Sequence, residues 1–274
     1  MARLLALTRS VPLTISRCEL THLERQPIDY ARAVEQHDAY ERCLERLGCR
    51  VERLPDAPDL PDSVFVEDAA VVLDEVAVIA RPGAVSRRPE VDAMAAALRP
   101  HRPLAFIDAP GTLDGGDVLV ASFPQRAHAR VGVPGRVFVG ISGRTNEDGV
   151  RQLAAILGPR GFAVVPIPVT GCLHLKSAVT LAYLPPVGGR SVLLVNPDWV
   201  DVGYFGEFDR VEVDPSEAAA ANVLLIGDAV ICAAEHQKTR SRLENRGLVT
   251  HAVPAGELAK AEGGVTCCSV LLHV

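Results

Sequence analysis

Six short stretches of this 274-residue sequence carry side chains able to bind charge or to do nucleophilic or acid–base chemistry. VFVED puts Glu67 and Asp68 side by side at the close of an apolar run, with Asp62 shortly before them. Paired carboxylates suit a cationic ligand, because a guanidinium presents a fork of donors that matches carboxylate oxygens; a solvated strand end would account for the same charges. TLDGGDV places Asp114 and Asp117 around two glycines. D-G and G-G favour a tight hairpin turn, and the functional alternative is a carboxylate held against a histidine or a ligand, with Gly115 and Gly116 allowing close approach. CLHLKS reads as an apolar strand carrying His174, with Leu173 and Leu175 on the opposite face. A lone strand histidine is more often structural, yet an imidazole, a thiol and a supporting carboxylate together have the general form of an activated nucleophile. SRR and GRT supply Arg87 and Arg144, each after an apolar strand and before a helix start. Either they are ordinary surface arginines or they are placed for a bidentate hold on a carboxylate.

The last stretch, GGVTCCSVLLHV, sets Cys267 next to Cys268. Neighbouring side chains in an extended segment point to opposite faces, so the pair cannot easily close a disulfide and at most one thiol faces any given pocket. Two buried small hydrophobes would give the same sequence. The seven cysteines are odd in number and lack C-x-x-C or zinc-type spacing, the pattern of reduced thiols in a cytosolic, cytoplasmic protein.

The elements that must position these residues follow from pattern. A chain that is 48% hydrophobic can bury a large core without metals or disulfide staples. The formal net charge of -6, without any like-charge run, argues against nucleic acid or an anionic membrane as partner. The apolar run in MARLLALTRS is too short for a signal-peptide core, and no stretch approaches a membrane span. A unit of strand, polar turn, strand and helical segment recurs from Val64, Thr112, His174, Ala221 and Gly263, at intervals of about 45 to 60 residues, a period of blades or arrays. Ile28–Gly48, EVDAMAAAL, NEDGVRQLAAILG and QKTRSRLENRG are the helical patterns, three of them stopping at glycine. LPPVGGR, with Pro185, Pro186, Gly188 and Gly189, reads as a hairpin turn. The last unit holds one clear strand, and RLLALTR at the other end of the chain reads as another. A closed ring of five ββαβ-like units, in which the N-terminal strand completes the last blade, leaves the fewest exposed edges. The expected fold class is therefore α/β, a five-bladed α/β propeller with the whole chain 1–274 as one domain; a doubly wound sheet is the alternative.

Taken together, VFVED, RPGAVSRRPEV, DGGDVL, VGISGRTN, LHLKSAVT and GGVTCCSVL closely resemble the dimethylarginine dimethylaminohydrolases, guanidine-modifying enzymes of the pentein fold. The resemblance runs in order from the N-terminal region to the last dozen residues. It implies that Cys267 is the nucleophile, His174 the general acid and base, and Asp114 the supporting carboxylate. It implies that Asp62, Glu67 and Asp68 hold the guanidinium and α-amino ends of the substrate, that Arg87 and Arg144 hold its α-carboxylate, and that Ser177 lines the site. Leu20, in CELTHLERQPID, matches the loop that covers bound substrate. Two positions depart from the pattern: Glu262 stands where many relatives have Asp, altering the fit near the substrate's amino end, and Gly143 replaces a common Lys.

The implied reaction is hydrolysis of methylated arginines to citrulline and an amine through a covalent Cys-thiouronium intermediate, with no metal or organic cofactor. The expected partner is a small-molecule guanidine, with no nucleic acid or membrane, for a monomer or homodimer. Arginine or agmatine deimination on the same fold is the nearest rival, and a non-catalytic binding protein for cationic amino acids a more distant one.

Overall fold

The computed structural model of the chain describes residues 4–123, 134–185 and 189–274; Arg3, Pro186 and Gly188, used above in the strand and turn readings, lie outside them. The described strands form five sheets of three strands each. The chain begins with β1 (Leu4–Thr8), α1 (Tyr30–Arg46) and β2 (Arg50–Arg53). The second blade is β3 (Ala70–Val72), β4 (Ala77–Ile79), α2 (Val91–Leu98) and β5 (Leu104–Phe106). The third is β6 (Val118–Val120), β7 (Gly135–Ile141), α3 (Glu147–Leu157) and β8 (Phe162–Pro168). A single helical turn, α4 (Leu175–Ala178), leads into β9 (Val179–Tyr183), β10 (Val192–Val195) and β11 (Asp209–Glu212). The fifth is β12 (Leu224–Ile226), β13 (Ala229–Ala233), α5 (Gln237–Asn245) and β14 (Val249–Val253), after which α6 (Gly256–Ala259) and β15 (Val270–His273) return to the first blade.

In every sheet the first strand pairs antiparallel with the second and the second parallel with the third. A parallel neighbour needs a crossover rather than a hairpin. Helices supply it in four blades, and a 3-10 turn at Val202–Phe205 supplies it in the fourth. β15 takes the first position of the opening blade, with Leu5 opposite Leu272 on one side and Arg50 on the other, so the two ends of the chain close the ring. This is the five-bladed α/β propeller that the repeat implied.

Helix α1 forms where Asp29 caps the N–H of Arg32 at 3.1 Å, and it buries Ala33, His37, Tyr40 and Leu44 along one face. Between blades the core is apolar, as where Phe138 of β7 meets the edges of Phe205 and Phe208.

The segments with chemistry are not strands. Val66–Ala69 is a 3-10 turn before β3, Gly115–Asp117 a 3-10 turn before β6, and Ala218–Ala221 another before β12. His174 is extended but stands outside any strand, just before α4, and Cys267 and Cys268 lie in a turn before β15. The DGGD stretch is therefore no hairpin, and the strand alternation expected around His174 and across the two cysteines does not apply. Each inner strand is entered through a tight turn beside the propeller axis. There apolar residues are buried by neighbouring blades on all sides, so their periodicity cannot separate turn from strand.

One buried hydrogen bond ties α1 to this end of the molecule, between Tyr40 Oη and Ser269 Oγ at 2.7 Å. Tyr40→Phe is expected to lower the unfolding free energy by about 1–2 kcal/mol, the scale for a buried hydroxyl left unpaired, at unchanged urea m-value.

Candidate active site

His174 sits where three turns converge. Its Nε2 is 3.1 Å from Asp114 Oδ2 and its Nδ1 is 3.8 Å from Asp68 Oδ1. The approach depends on Gly116: a Cβ there would lie 2.6 Å from His174 Nδ1 and 2.7 Å from Asp68 Oδ1. Burial disfavours the imidazolium, but Asp68, Asp114 and Asp117 outweigh it and raise the His174 pKa to about 9. Asp68 also accepts from Gly116 N at 2.9 Å and from Arg87 Nη1 at 2.5 Å. Although burial alone would raise it, His174 and Arg87 hold this carboxyl well below the usual range.

Cys267 occupies the adjoining turn, 8% exposed, with its backbone oxygen accepting from Glu67 N at 3.1 Å and its Sγ accepting from Gly264 N at 3.3 Å. Burial, with Glu67 and Asp68 nearby, pushes its thiol up to about 12. Glu67 is itself held from two sides, by Lys176 Nζ at 2.5 Å and by Thr266 Oγ1 at 2.8 Å. The neighbouring Cys268 is also buried: burial, with Cys267 and Glu67 nearby, pushes its thiol well above the ordinary range, and its Sγ meets the backbone oxygen of Gly264 at 3.6 Å. Both thiols meet the backbone of Gly264, Cys267 at its N–H and Cys268 at its oxygen, within a turn to which strand alternation does not apply.

Two arginines flank these groups. Arg87 is buried and its guanidinium is tied to Asp68, to Glu90 and to the backbone oxygen of Phe65. Arg144 is freer: Nη2 reaches Thr21 Oγ1 at 3.4 Å, and Nη1 is buried 3.9 Å from Asp114 Oδ2 without a protein hydrogen-bond partner. Above them runs the loop containing half-buried Leu20. Asp62 accepts from Glu19 N at 3.2 Å. Glu262, at φ 58° the one described non-glycine residue with positive φ, accepts from the N–H groups of Thr21, His22 and Leu23 at 3.0, 2.5 and 2.6 Å. The longer side chain at this position thus reaches the loop backbone. Ser177, in α4, donates its N–H to the His174 carbonyl.

Cys267, His174, Asp114, Glu67, Asp68, Arg87 and Arg144 are thus one connected set, while Asp62, Glu262 and Leu20 belong to the covering loop and its supports. Sequence reasoning missed Lys176 and Thr266, which neutralise and hold Glu67, and Asn222, whose side chain binds Thr266 N and Lys176 O. Lys176 and Thr266 sit two and one residues from His174 and Cys267, a proximity that could have flagged them; nothing local marks Asn222. Asp68, Asp114 and His174 also have the spread of metal ligands, as do His37, Asp38 and Glu41. Neither set is arranged for a metal ion: Asp68 Oδ2 is bonded to the Arg87 guanidinium, and Arg53 bridges Asp38 and Glu41.

No family model matches the chain. It is 41% identical over 269 residues to an N(G),N(G)-dimethylarginine dimethylaminohydrolase of Streptomyces coelicolor, covering 98% of this chain and 96% of that one. Among solved structures, it superposes on a cysteine-to-serine mutant of the Pseudomonas aeruginosa enzyme of that name, complexed with citrulline, with TM-score 0.86 and 31% identity over 99% of this chain and 100% of that one. A histidine-to-glycine dimethylarginine dimethylaminohydrolase, as its adduct with S-methyl-L-thiocitrulline, matches with TM-score 0.84 and 30% identity over 99% and 100% of the two chains.

The grip of Glu262 on three consecutive amides gives a direct test. In Glu262→Ala, hydrogen exchange at Thr21, His22 and Leu23 should accelerate by at least about tenfold, the loss of one charge-assisted contact, while β1 and β15 keep their protection.

Proposed function

The chain belongs to the dimethylarginine dimethylaminohydrolase family, and from that premise we propose how its residues divide the hydrolysis of methylated arginines to citrulline and dimethylamine or methylamine. One observation carries the assignment: the Cys267 thiol and the His174 imidazole share a wall of carboxylates, the buried Asp68 and Asp114 and the half-buried Glu67. Such a wall favours a cation and disfavours a thiolate. A guanidinium seated against Glu67 and Asp68 is therefore both the ligand the pocket selects and the charge that lets Cys267 ionise.

A guanidinium carbon is a poor electrophile, so a thiolate is the nucleophile of choice near neutral pH. Cys267 attacks that carbon and forms a tetrahedral adduct. His174, an imidazolium oriented by Asp114, protonates the departing amine as the C–N bond breaks, leaving a thiouronium on Cys267. The now neutral His174 takes a proton from water, hydroxide adds to the same carbon, and collapse with C–S cleavage releases citrulline and the thiol. Arg144, with its unpartnered Nη1, holds the α-carboxylate, and Arg87 contributes mainly by fixing Asp68. Asp62 and Glu262 stand beside the amino end under the loop of Leu20, and Ser177 lines the wall behind His174. The small-molecule guanidine is the partner, and seven unpaired thiols support a cytoplasmic setting. No helix among the described residues is long and apolar enough to cross a membrane.

Amine release measured on asymmetric dimethylarginine, monomethylarginine, arginine and agmatine tests the substrate class: dimethylamine and methylamine are expected, and ammonia from arginine or agmatine as the dominant product would overturn it. Cys267→Ser should abolish turnover while Cys268→Ser keeps most of it. The reverse order would exchange the two thiols' roles.

A further inference from the structure

Asp117 is fully buried, belongs to none of the groups assigned above, and connects several of them. Its Oδ1 accepts the N–H of Leu175 at 3.0 Å, immediately after His174. Its Oδ2 accepts the hydroxyl of Ser142 at 2.6 Å. With its hydrogen so committed, the Ser142 oxygen turns its lone pairs to the N–H groups of Arg144 at 3.0 Å and Thr145 at 3.2 Å. Thr145 also hydrogen-bonds Asp117 through its side chain, and its Oγ1 accepts the N–H of Asp114 at 3.1 Å. The backbones of His174, Arg144 and Asp114 thus refer to a single carboxylate. The cradle is specific: Gly140 of β7 has no side chain where a Cβ would lie 2.5 Å from Asp117 Oδ1.

We propose that Asp117 is a positioning residue for the reaction, fixing the distance between the proton-transfer end of the site at His174 and the carboxylate-holding end at Arg144. This rests on the functional reading above. A rigid reference matters because the leaving amine and the α-carboxylate belong to one substrate molecule, so an error in the spacing displaces the reacting carbon from Cys267. Hydrogen bonds to a buried anion, with donors converging from α4 and from the loop after β7, hold that spacing better than apolar contacts, which tolerate sliding. The same charge faces His174 together with those of Asp68 and Asp114, with Arg87 and Arg144 behind them. Burial raises the Asp117 carboxyl to about 6, so it is ionised at neutral pH.

The test is steady-state kinetics of asymmetric dimethylarginine hydrolysis by wild type, Asp117→Asn and Ser142→Ala across pH. Asparagine can still accept from Leu175, but its amide must donate to Ser142 Oγ, which already receives two N–H groups. Both ends of the site then shift. kcat/KM is expected to fall by about 10²-fold, the scale for a small misplacement of positioned groups, with both kcat and KM affected. With one fewer negative charge facing His174, the limb on which activity falls with rising pH should move to lower pH. Ser142→Ala leaves the Leu175 contact intact, so KM should rise by about tenfold while kcat stays within about twofold. A folded Asp117→Asn enzyme with wild-type KM, kcat and pH limb, or one that only melts earlier, overturns the inference. If that variant does not fold, an unchanged KM in Ser142→Ala overturns it. Absence of methylarginine turnover by the wild type would instead overturn the functional reading and this inference with it.

Discussion

The organisation of the molecule depends on keeping charge buried at the propeller axis. Asp62, Asp68, Glu90, Asp114 and Asp117 are buried and Glu67 nearly so, against Arg87, Arg144, Lys176 and the imidazole of His174. Removing carboxylates from water is costly unless each finds donors or a counter-charge. Here each does: Arg87 links Asp68 and Glu90, Lys176 and Thr266 hold Glu67, and backbone N–H groups point at Asp62, Asp68 and Asp117. The acids still outnumber the fixed cations, so the balance is completed by protonating His174 and by any cation that enters.

That requirement dictates local structure. A strand directs its N–H groups to neighbouring strands and has none to offer a side chain at the axis, whereas a tight turn leaves several free. Each inner strand is accordingly preceded by a turn, and Gly116 N and Leu175 N, both in such turns, are donors to buried carboxylates. The ring closure by β15 against β1 brings the last of these turns, with Cys267, next to the second blade, where Glu67 N meets its carbonyl. The covering loop is fastened by the same chemistry, backbone N–H to carboxylate, through Asp62 and Glu262.

These physical facts explain what the sequence could disclose. The repeat of apolar strands and capped helices made the ring legible, because hydrophobic period and closure of edges are properties of whole segments. The residues of the site were legible as types: adjacent acids at Glu67 and Asp68, the glycines beside Asp114, the histidine of LHLKS. Their setting on turns was not, because a turn packed on every side is as apolar as a buried strand. Nor was the second layer: Asn222 holds Thr266 and Lys176 across a long stretch of chain, and Asp117 reads as one more turn residue until Leu175 and Ser142 are seen to converge on it. The role of Glu262 lay beyond sequence as well, since only its left-handed backbone turns the carboxylate to the loop.

The balance of charge also fixes the order of proton movements in the proposed reaction. With His174 raised to about 9 and Cys267 to about 12, neutral pH favours an imidazolium at His174 and a neutral thiol at Cys267. An imidazolium cannot accept the thiol proton. That proton must leave toward water as the guanidinium settles on Glu67 and Asp68 and offsets the charge that opposed ionisation. His174 then begins the cycle already carrying the proton that the amine needs and becomes a base only after giving it up, the state required to activate water against the thiouronium. The carboxylates around His174 therefore do more than orient it. In the proposed reaction they make His174 an acid first and a base second.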